Sequence, residues 1–540
     1  MQQTSRHASP GTGRAWPAVR RSAAVLAGLL TGAIAGIAVV LCVAGLRLVV
    51  EDIYLQGFGD FVSWLGVPAV VGLVAGGVAG ARLPIDRFWR SAGLVIGGLV
   101  AGAAAGAAVG AAFGSNPEAP WLGGLIGSGV GVSFATLGAV RLRGRAAGLP
   151  SALLSALLLP LTACSPAAPS EARTLPAPDR PDVEAIVFLL GDPGLMHRET
   201  HPLAVRLRAD IEAWSASLGA EGHVALVVLG DVLYPAGLHA ADTRERERDS
   251  LRLATQISLV SGEAAEAAGA RAIFLAGNHD WGHEADWAGA LRLVRLGEFL
   301  DSWTGPAAGR LTMSPEPGTG GPGIVDLGRG VRLVLLDTAW WLLGADPPGK
   351  DEVIEGLREA LRSAAGRRVI VAAHHPLRSA GPHGVAEELG RTFGVRFLLQ
   401  KAGLLLQDLT SPPYADLRAR LGDVFSDAGR PDIFAGGHEH SLQVFGLEAT
   451  PVPRDLVVGS ASKLTKVRNA PGLLFARSEP GYAKVFVLRD GGLHIRIEAA
   501  PARYLTCENA TDLDACMADG VAAFRTVWAE TLEARQERGE

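Results

Sequence analysis

The sequence predicts two architectures joined in one chain: an all-α transmembrane bundle, then a layered α/β domain. Three observations carry this reading. Long uncharged apolar runs are confined to the first 163 positions, a proline-rich stretch follows, and beyond it short Val/Ile/Leu runs alternate with helical stretches and end in Gly-Asp, Gly-Asn or His. The chain has 540 residues, 48% hydrophobic and only 19% charged, with 69 glycines. Its mean hydropathy is +0.24. That is too long for one ordinary domain and too apolar for a disordered chain. A net charge of −5 argues against a generally basic nucleic-acid binder, so no nucleic-acid partner is expected. Four cysteines are too few for a disulfide scaffold.

Residues 1–22 are the predicted cytoplasmic N-terminus, and 23–145 a four-span region dense in Gly and Ala. The spans cover 23–45 and about 61–81, 92–113 and 121–140, each able to cross a hydrocarbon core of about 30 Å. Small residues every three or four positions let helix backbones approach closely in lipid. The absence of charge within the spans argues against an ion path. Arg6, Arg14, Arg20 and Arg21 precede the first span, Arg82, Arg87 and Arg90 lie between the second and third, and Arg141, Arg143 and Arg145 follow the fourth. The other two loops hold Glu51, Asp52, Asp60 and Glu118 against Arg47. The positive-inside bias then sets the N-terminus in the cytoplasm.

Residues 146–164 have two readings. They form a fifth span, or they are a lipoprotein-type signal: RLRGRAAGLPSALLSALLLPLTAC resembles a bacterial lipoprotein signal, whose cysteine, here Cys164, is lipidated and becomes a new N-terminus. Either reading places the remainder outside the cytoplasm, periplasmic or at the cell surface. The linker 165–182 has five prolines in 18 residues and reads as an extended tether. A folded domain is expected over 183–500, and 501–540 is a C-terminal extension with a helix. In it Cys507 and Cys516 flank ENATDLDA, a pair expected to bridge in an oxidising compartment.

Within 183–500 the clearest buried strands are VEAIVFLLGD, HVALVVLGD, RAIFLAGNHD, RRVIVAAHHP and PDIFAGGHEH. Helical segments such as 243–268 separate them, and strand ends are where such folds keep their sites. The polar residues there are Asp192, Asp231, Tyr234, Asn278, His279, His374, His438 and His440. Carboxylate, imidazole, amide and phenol without thiolate suit a pair of hard or borderline metals rather than a structural zinc.

The blocks GD-x-G, GD-x-x-Y, GNHD, HHP and GHEH, in that order from Gly191 to His440, resemble the calcineurin-like metallophosphoesterase family. The resemblance implies a four-layer αββα sandwich holding two metal ions. Many members have Asp-x-His in the first block, where this chain has Asp192-Pro193-Gly194, and Tyr234 follows Asp231 by three residues. That exchange resembles the purple acid phosphatase branch. It implies that Asp192, Tyr234 and His440 hold one metal, that Asn278, His374 and His438 hold the other, and that Asp231 bridges. The metals implied are iron paired with iron, zinc or manganese. His279 and His383 match the branch's two active-site histidines.

The implied activity is hydrolysis of phosphate monoesters by attack of a metal-bound hydroxide, with His279 stabilising the equatorial oxygens and His383 or His279 protonating the leaving oxygen. The substrate is a phosphorylated small molecule or a lipid. Alternatives stand beside this. Tyr234 can simply pack beside the site, His197 or His201, which follow Asp192 closely, can supply an imidazole ligand in its place, and His375 is expected to face away from the metals. Asp337 is read as orienting the site or capping a turn, and Trp340 and Trp341 as core or pocket wall. His239 and His283 are read as pocket lining or surface. The same blocks serve a phosphodiesterase or pyrophosphate-type hydrolase, or a catalytically idle binding module.

The arginine asymmetry makes one direct prediction. A reporter fused after Glu540 is active only if it is a type that needs export, and fluorescence from a fusion that folds only in the cytoplasm overturns the topology.

Overall fold

The computed structural model describes residues 169–282, 287–344, 347–381, 383–384, 409, 411–509 and 512–534. The predicted spans, the segment 146–164 with Cys164, and His283 lie outside the described residues. Among the described residues no helix is long and apolar enough to cross a membrane.

The first winding is β1 (Val183–Leu190), α1 (Pro202–Leu218), β2 (His223–Val228), α2 (Glu245–Ile257), α3 (Glu263–Ala267), β3 (Arg271–Phe274), α4 (Trp287–Asp301) and β4 (Leu311–Met313). β1 to β4 pair in parallel, in that order, which requires a crossover between each pair. The second winding is the hairpin β5 (Gly323–Leu327) and β6 (Val331–Leu336), then α5 (Thr338–Leu342), α6 (Pro347–Arg362), β7 (Arg368–Ala373), α7 (Pro412–Asp427), β8 (Ile433–Gly436), β9 (Leu442–Phe445), β10 (Arg454–Val458) and β11 (Leu473–Arg477). The chain closes with β12 (Gly481–Leu488), β13 (Leu493–Ala499), α8 (Leu513–Ala522) and β14 (Arg525–Leu532).

Two seven-stranded mixed sheets result, ordered β14-β13-β12-β1-β2-β3-β4 and β11-β9-β10-β8-β7-β6-β5. Alternation along β1 shows how they are layered. Ala185, Val187 and Leu189 face a core shared with Ile370 and Ala372 of β7 and Ala435 of β8, so the two sheets pack face to face. Ile186, Phe188 and Leu190 point the other way, against Leu203, Leu207 and Ile211 of α1. On the far side Val369 and Val371 of β7 meet Leu357 of α6 and Leu421 and Phe425 of α7. Strands covered on both faces read as unbroken apolar runs, which is why these were visible in the sequence.

Two terminal segments are more integrated than their composition suggests. The described part of the proline-rich linker lies along strand edges instead of standing free. Pro169 O accepts from Ala476 N of β11 at 2.8 Å, Arg173 bridges to Trp528 of β14, and Ala529 N donates to Arg173 O at 2.6 Å. Edge strands carry spare backbone donors and acceptors, and an extended proline-rich chain still offers its carbonyls to them. The segment after residue 500 supplies β14 itself, antiparallel to β13. A Cys507–Cys516 disulfide closes the stretch between β13 and α8.

Phe188 is fully buried between β1 and α1. Phe188→Ala therefore destabilises the domain by about 3–5 kcal/mol, read from the denaturant midpoint. Leu447→Ala, at a side chain 55% exposed, changes stability by no more than about 0.5 kcal/mol.

Candidate metal centre

The strand ends converge on one edge, where Gly191 N donates to Val458 O at 2.8 Å and joins the two sheets. Asp192 follows β1, Asp231 follows β2, Asn278 follows β3, His374 follows β7 and His438 follows β8. Asp192, Asp231 and His438 hold φ of 60°, 52° and 65°, a left-handed backbone that costs a non-glycine residue about 1–3 kcal/mol and marks a site the surroundings over-determine. Gly277 leaves no room for a side chain, since a Cβ there would lie 2.3 Å from Asp231 Oδ1.

The side chains form two adjoining groups. In one, ligand atoms of Asp192, Asp231 and His440 all lie within 4.8 Å of one another, and in the other so do those of His374, His375 and His438. Asn278 Oδ1 lies 2.9 Å from His374 Nε2 and 3.1 Å from His438 Nδ1. Asp231 Oδ1 is 3.4 Å from His374 Nε2, so this carboxylate belongs to the first group and touches the second.

The hydrogen bonds say what the groups need. His374 Nδ1–H donates to Leu229 O at 2.8 Å, which spends Nδ1 on backbone and turns Nε2 into the site. That nitrogen faces two acceptors, Asn278 Oδ1 and Asp231 Oδ1. Acceptors that converge in this way need a positive charge or a donated proton among them. Burial pushes the Asp192 carboxyl up to about 8, against the pull of His374 and with a further push from Asp231. Burial also raises Asp231, but His374 and His279 outweigh it and hold it below the usual carboxylate range. Burial holds His438 well below its ordinary value and His440 down at about 3, so both are neutral rings with a lone pair to give. The donor set of carboxylate, imidazole, amide and phenol oxygen fits hard or borderline cations.

The structure places the other sequence candidates as follows. Tyr234 is buried, its hydroxyl donating to Asp192 Oδ1 at 2.9 Å and lying 3.1 Å from His440 Nε2. A Cβ on Gly194 would lie 2.6 Å from Tyr234 Cδ2, so it is the missing side chain at Gly194 that admits the Tyr234 ring. His279 donates Nδ1–H to Pro235 O at 2.7 Å and turns Nε2 toward Asp231 Oδ2, 3.9 Å away. His383 lies with its ring 4.6 Å from that of His438.

His375 departs from the expectation that it faces away. Thr338 Oγ1 lies 2.8 Å from its Nδ1, and its Nε2 is buried without a hydrogen-bond partner among the described residues. Alternation along an extended chain does not apply here, because the strand has ended at Ala373. His197 is exposed against Leu195 O, and His201 precedes α1; neither joins the Asp192 group. His239 pairs with the buried Asp249 at 2.7 Å. Asp337 caps α5 through Trp340 N and accepts from Trp281 Nε1 at 2.9 Å. Trp341 is core.

Three residues escaped the sequence reading. Asp280, the last residue of GNHD, accepts from Val232 N, Leu233 N and Gly277 N at 3.1, 2.9 and 2.8 Å and ties the second metal loop to the third. Its place in the motif was a usable signal. Glu439, between His438 and His440, accepts from His383 N at 2.6 Å and so fixes the His383 turn. Lys463 sets its ammonium 3.4 Å from the centre of the Tyr234 ring.

No family model and no curated protein sequence matches the chain. Among solved structures it is similar to GAP50, the anchor in the inner membrane complex of Plasmodium, with a TM-score of 0.43 and 13% identity over 66% of this chain and 90% of that one. It is similar to purple acid phosphatase PPD1 from yellow lupin (Lupinus luteus) seeds, with a TM-score of 0.40 and 16% identity over 66% of this chain and 54% of that one. PhoD gives 0.37 and 12%, over 68% and 75%.

Asp280→Ala strands three buried N–H groups. Since each costs about 1–3 kcal/mol unpaired, the variant is destabilised by about 3 kcal/mol or more. It also retains less metal after dialysis, because the loops bearing Asp231 and Asn278 come apart.

Proposed function

We propose that the domain is a dinuclear-metal phosphoesterase of the purple acid phosphatase type, acting on phosphate monoesters and held at the outer face of a membrane. The observation that carries the reading is Asp231. It is one carboxylate shared by two buried ligand groups, with the lone pairs of His374 and Asn278 on one side and Asp192 and His440 on the other. The five sequence blocks supply each of these residues, and the positive arginine balance supports the outward placement.

Asp192, Tyr234 and His440 would hold one cation, Asn278, His374 and His438 the other, with Asp231 between them. Two cations, when bound, activate water as the nucleophile and neutralise charge on the transferring phosphoryl group. The chain's own residues do the rest. His374 is fixed in one tautomer by Leu229 O, so its ligand nitrogen is pre-set. His279, held by Pro235 O, presents Nε2 to the equatorial oxygens of the substrate and stabilises their growing charge. His383, held by Glu439, stands beside the second group and can give a proton to the leaving oxygen.

The full-length chain loaded with iron tests this in one series. A phenolate bound to ferric iron gives visible colour, so the oxidised protein is coloured and Tyr234→Phe loses the band while keeping the ring. Asp231→Asn lowers phosphate-ester turnover by about 100-fold or more and reduces metal content, since one charge serves both cations. Asp242→Asn, at an exposed carboxylate, changes neither. A colourless wild-type protein with full iron makes Tyr234 a packing residue, and full turnover in Asp231→Asn overturns the two-metal reading.

A further inference from the structure

The loop between β10 and β11 brings a fixed cation to the site. Just before Lys463, Ala461 N donates to Gly191 O at 3.3 Å and Ser462 Oγ donates to Asp192 O. Just after it, Thr465 N donates to His440 O at 2.8 Å. Lys463 is thus pinned between the backbones of two ligand-bearing segments, and its position is set by the same loops that set the metal ligands.

Its ammonium lies 3.4 Å from the Tyr234 ring centre and within electrostatic reach of Asp231 and Asp192. Among the described residues it makes neither a hydrogen bond nor an ion pair. An ammonium has three donors, and a ring face satisfies its charge without using them. These donors are therefore left for an anion that arrives at the site.

The charge balance says which anion. Two carboxylates, Asp192 and Asp231, and the Tyr234 phenolate stand against two cations, one of them ferric in the proposed centre, so the loaded centre keeps a positive surplus, and a lysine beside it enlarges that surplus. A phosphate monoester brings two negative charges and three free oxygens, whereas a diester brings one charge and two free oxygens.

Resting on the phosphoesterase reading, we propose that Lys463 binds the non-bridging oxygens of a terminal phosphate on the Tyr234 side of the centre and thereby selects dianionic monoesters over diesters. No short motif marks this residue, because the loop that positions it is specified by contacts to Gly191, Asp192 and His440, far away in sequence.

The test uses the full-length, metal-loaded chain with p-nitrophenyl phosphate, bis(p-nitrophenyl) phosphate and calorimetry of inorganic phosphate. Losing a charge-assisted contact made to one substrate class only, Lys463→Met lowers kcat/KM for the monoester by about ten-fold or more, chiefly through KM, and changes the diester by less than about two-fold. Phosphate affinity falls by about the same factor, metal content is unchanged, and Lys463→Arg restores most of both. Equal losses on the two esters, or unchanged phosphate affinity in Lys463→Met, overturn the proposal. A wild-type protein that turns over neither ester overturns the phosphoesterase reading instead, and the phosphate calorimetry then still decides on Lys463.

Discussion

Two carboxylates that water cannot reach govern this domain. Asp192 and Asp231 are each essentially fully buried, next to one another, at the ends of parallel strands. A carboxylate out of water is costly unless paired, and two side by side are costlier still. The arrangement around them follows from that cost. Backbone donors are spent on them, His438 N on Asp192 and His279 N on Asp231. Imidazoles are turned toward them as well: His374 and His279 hold Asp231 low, whereas burial keeps the His440 ring beside Asp192 neutral, so it supplies no compensating charge. What remains is a demand for cations, and the left-handed backbone at both aspartates shows that the fold accepts strain to keep the demand in place.

The strand ends could not hold this arrangement alone. Asp280 links two loops through three N–H groups, Ser462 and Thr465 clip a third segment to Asp192 and His440, and Glu439 secures the His383 turn. None of these residues belongs to either ligand-atom group, and each fixes the direction of a segment beside one. Most polar residues of the site are therefore of two kinds: those that turn a ligand atom inward, and those, such as Asp280, whose hydrogen bonds hold the backbone of the loops.

That division explains how much could be read from sequence. The inward-facing residues follow buried parallel strands, and those strands are unbroken apolar runs because both faces are covered. A run of Val, Ile and Leu ending in Gly-Asp or His-His announces both the strand and the ligand. β5, β9 and β11 carry no such marker, being short and antiparallel, and the docking of residues 169–173 depends on edges that exist only once the sheets have formed. Lys463 and Glu439 were invisible for the same reason. Their partners lie in other loops, so no local spacing records the contact. His375 shows the converse limit. Its neighbour His374 was legible, but the alternation used to turn His375 away fails where the strand stops.

The exchange at Gly194 and Tyr234 ties these levels together. An imidazole near Asp192 can come from a side chain on the first loop or be replaced by a phenol from the second, but there is room for only one of them. With the phenol in place the first loop must be glycine, and the freed volume is taken by an aromatic ring flanked by His279 at 4.5 Å between centres and by the Lys463 ammonium. An imidazole ligand would offer that ammonium a much smaller face, whereas a phenol gives it a π-surface to rest on while its donors stay open. The tyrosine thus does more than present an oxygen to Asp192. It creates the seat on which a positive charge can be stationed beside two carboxylates without pairing with either.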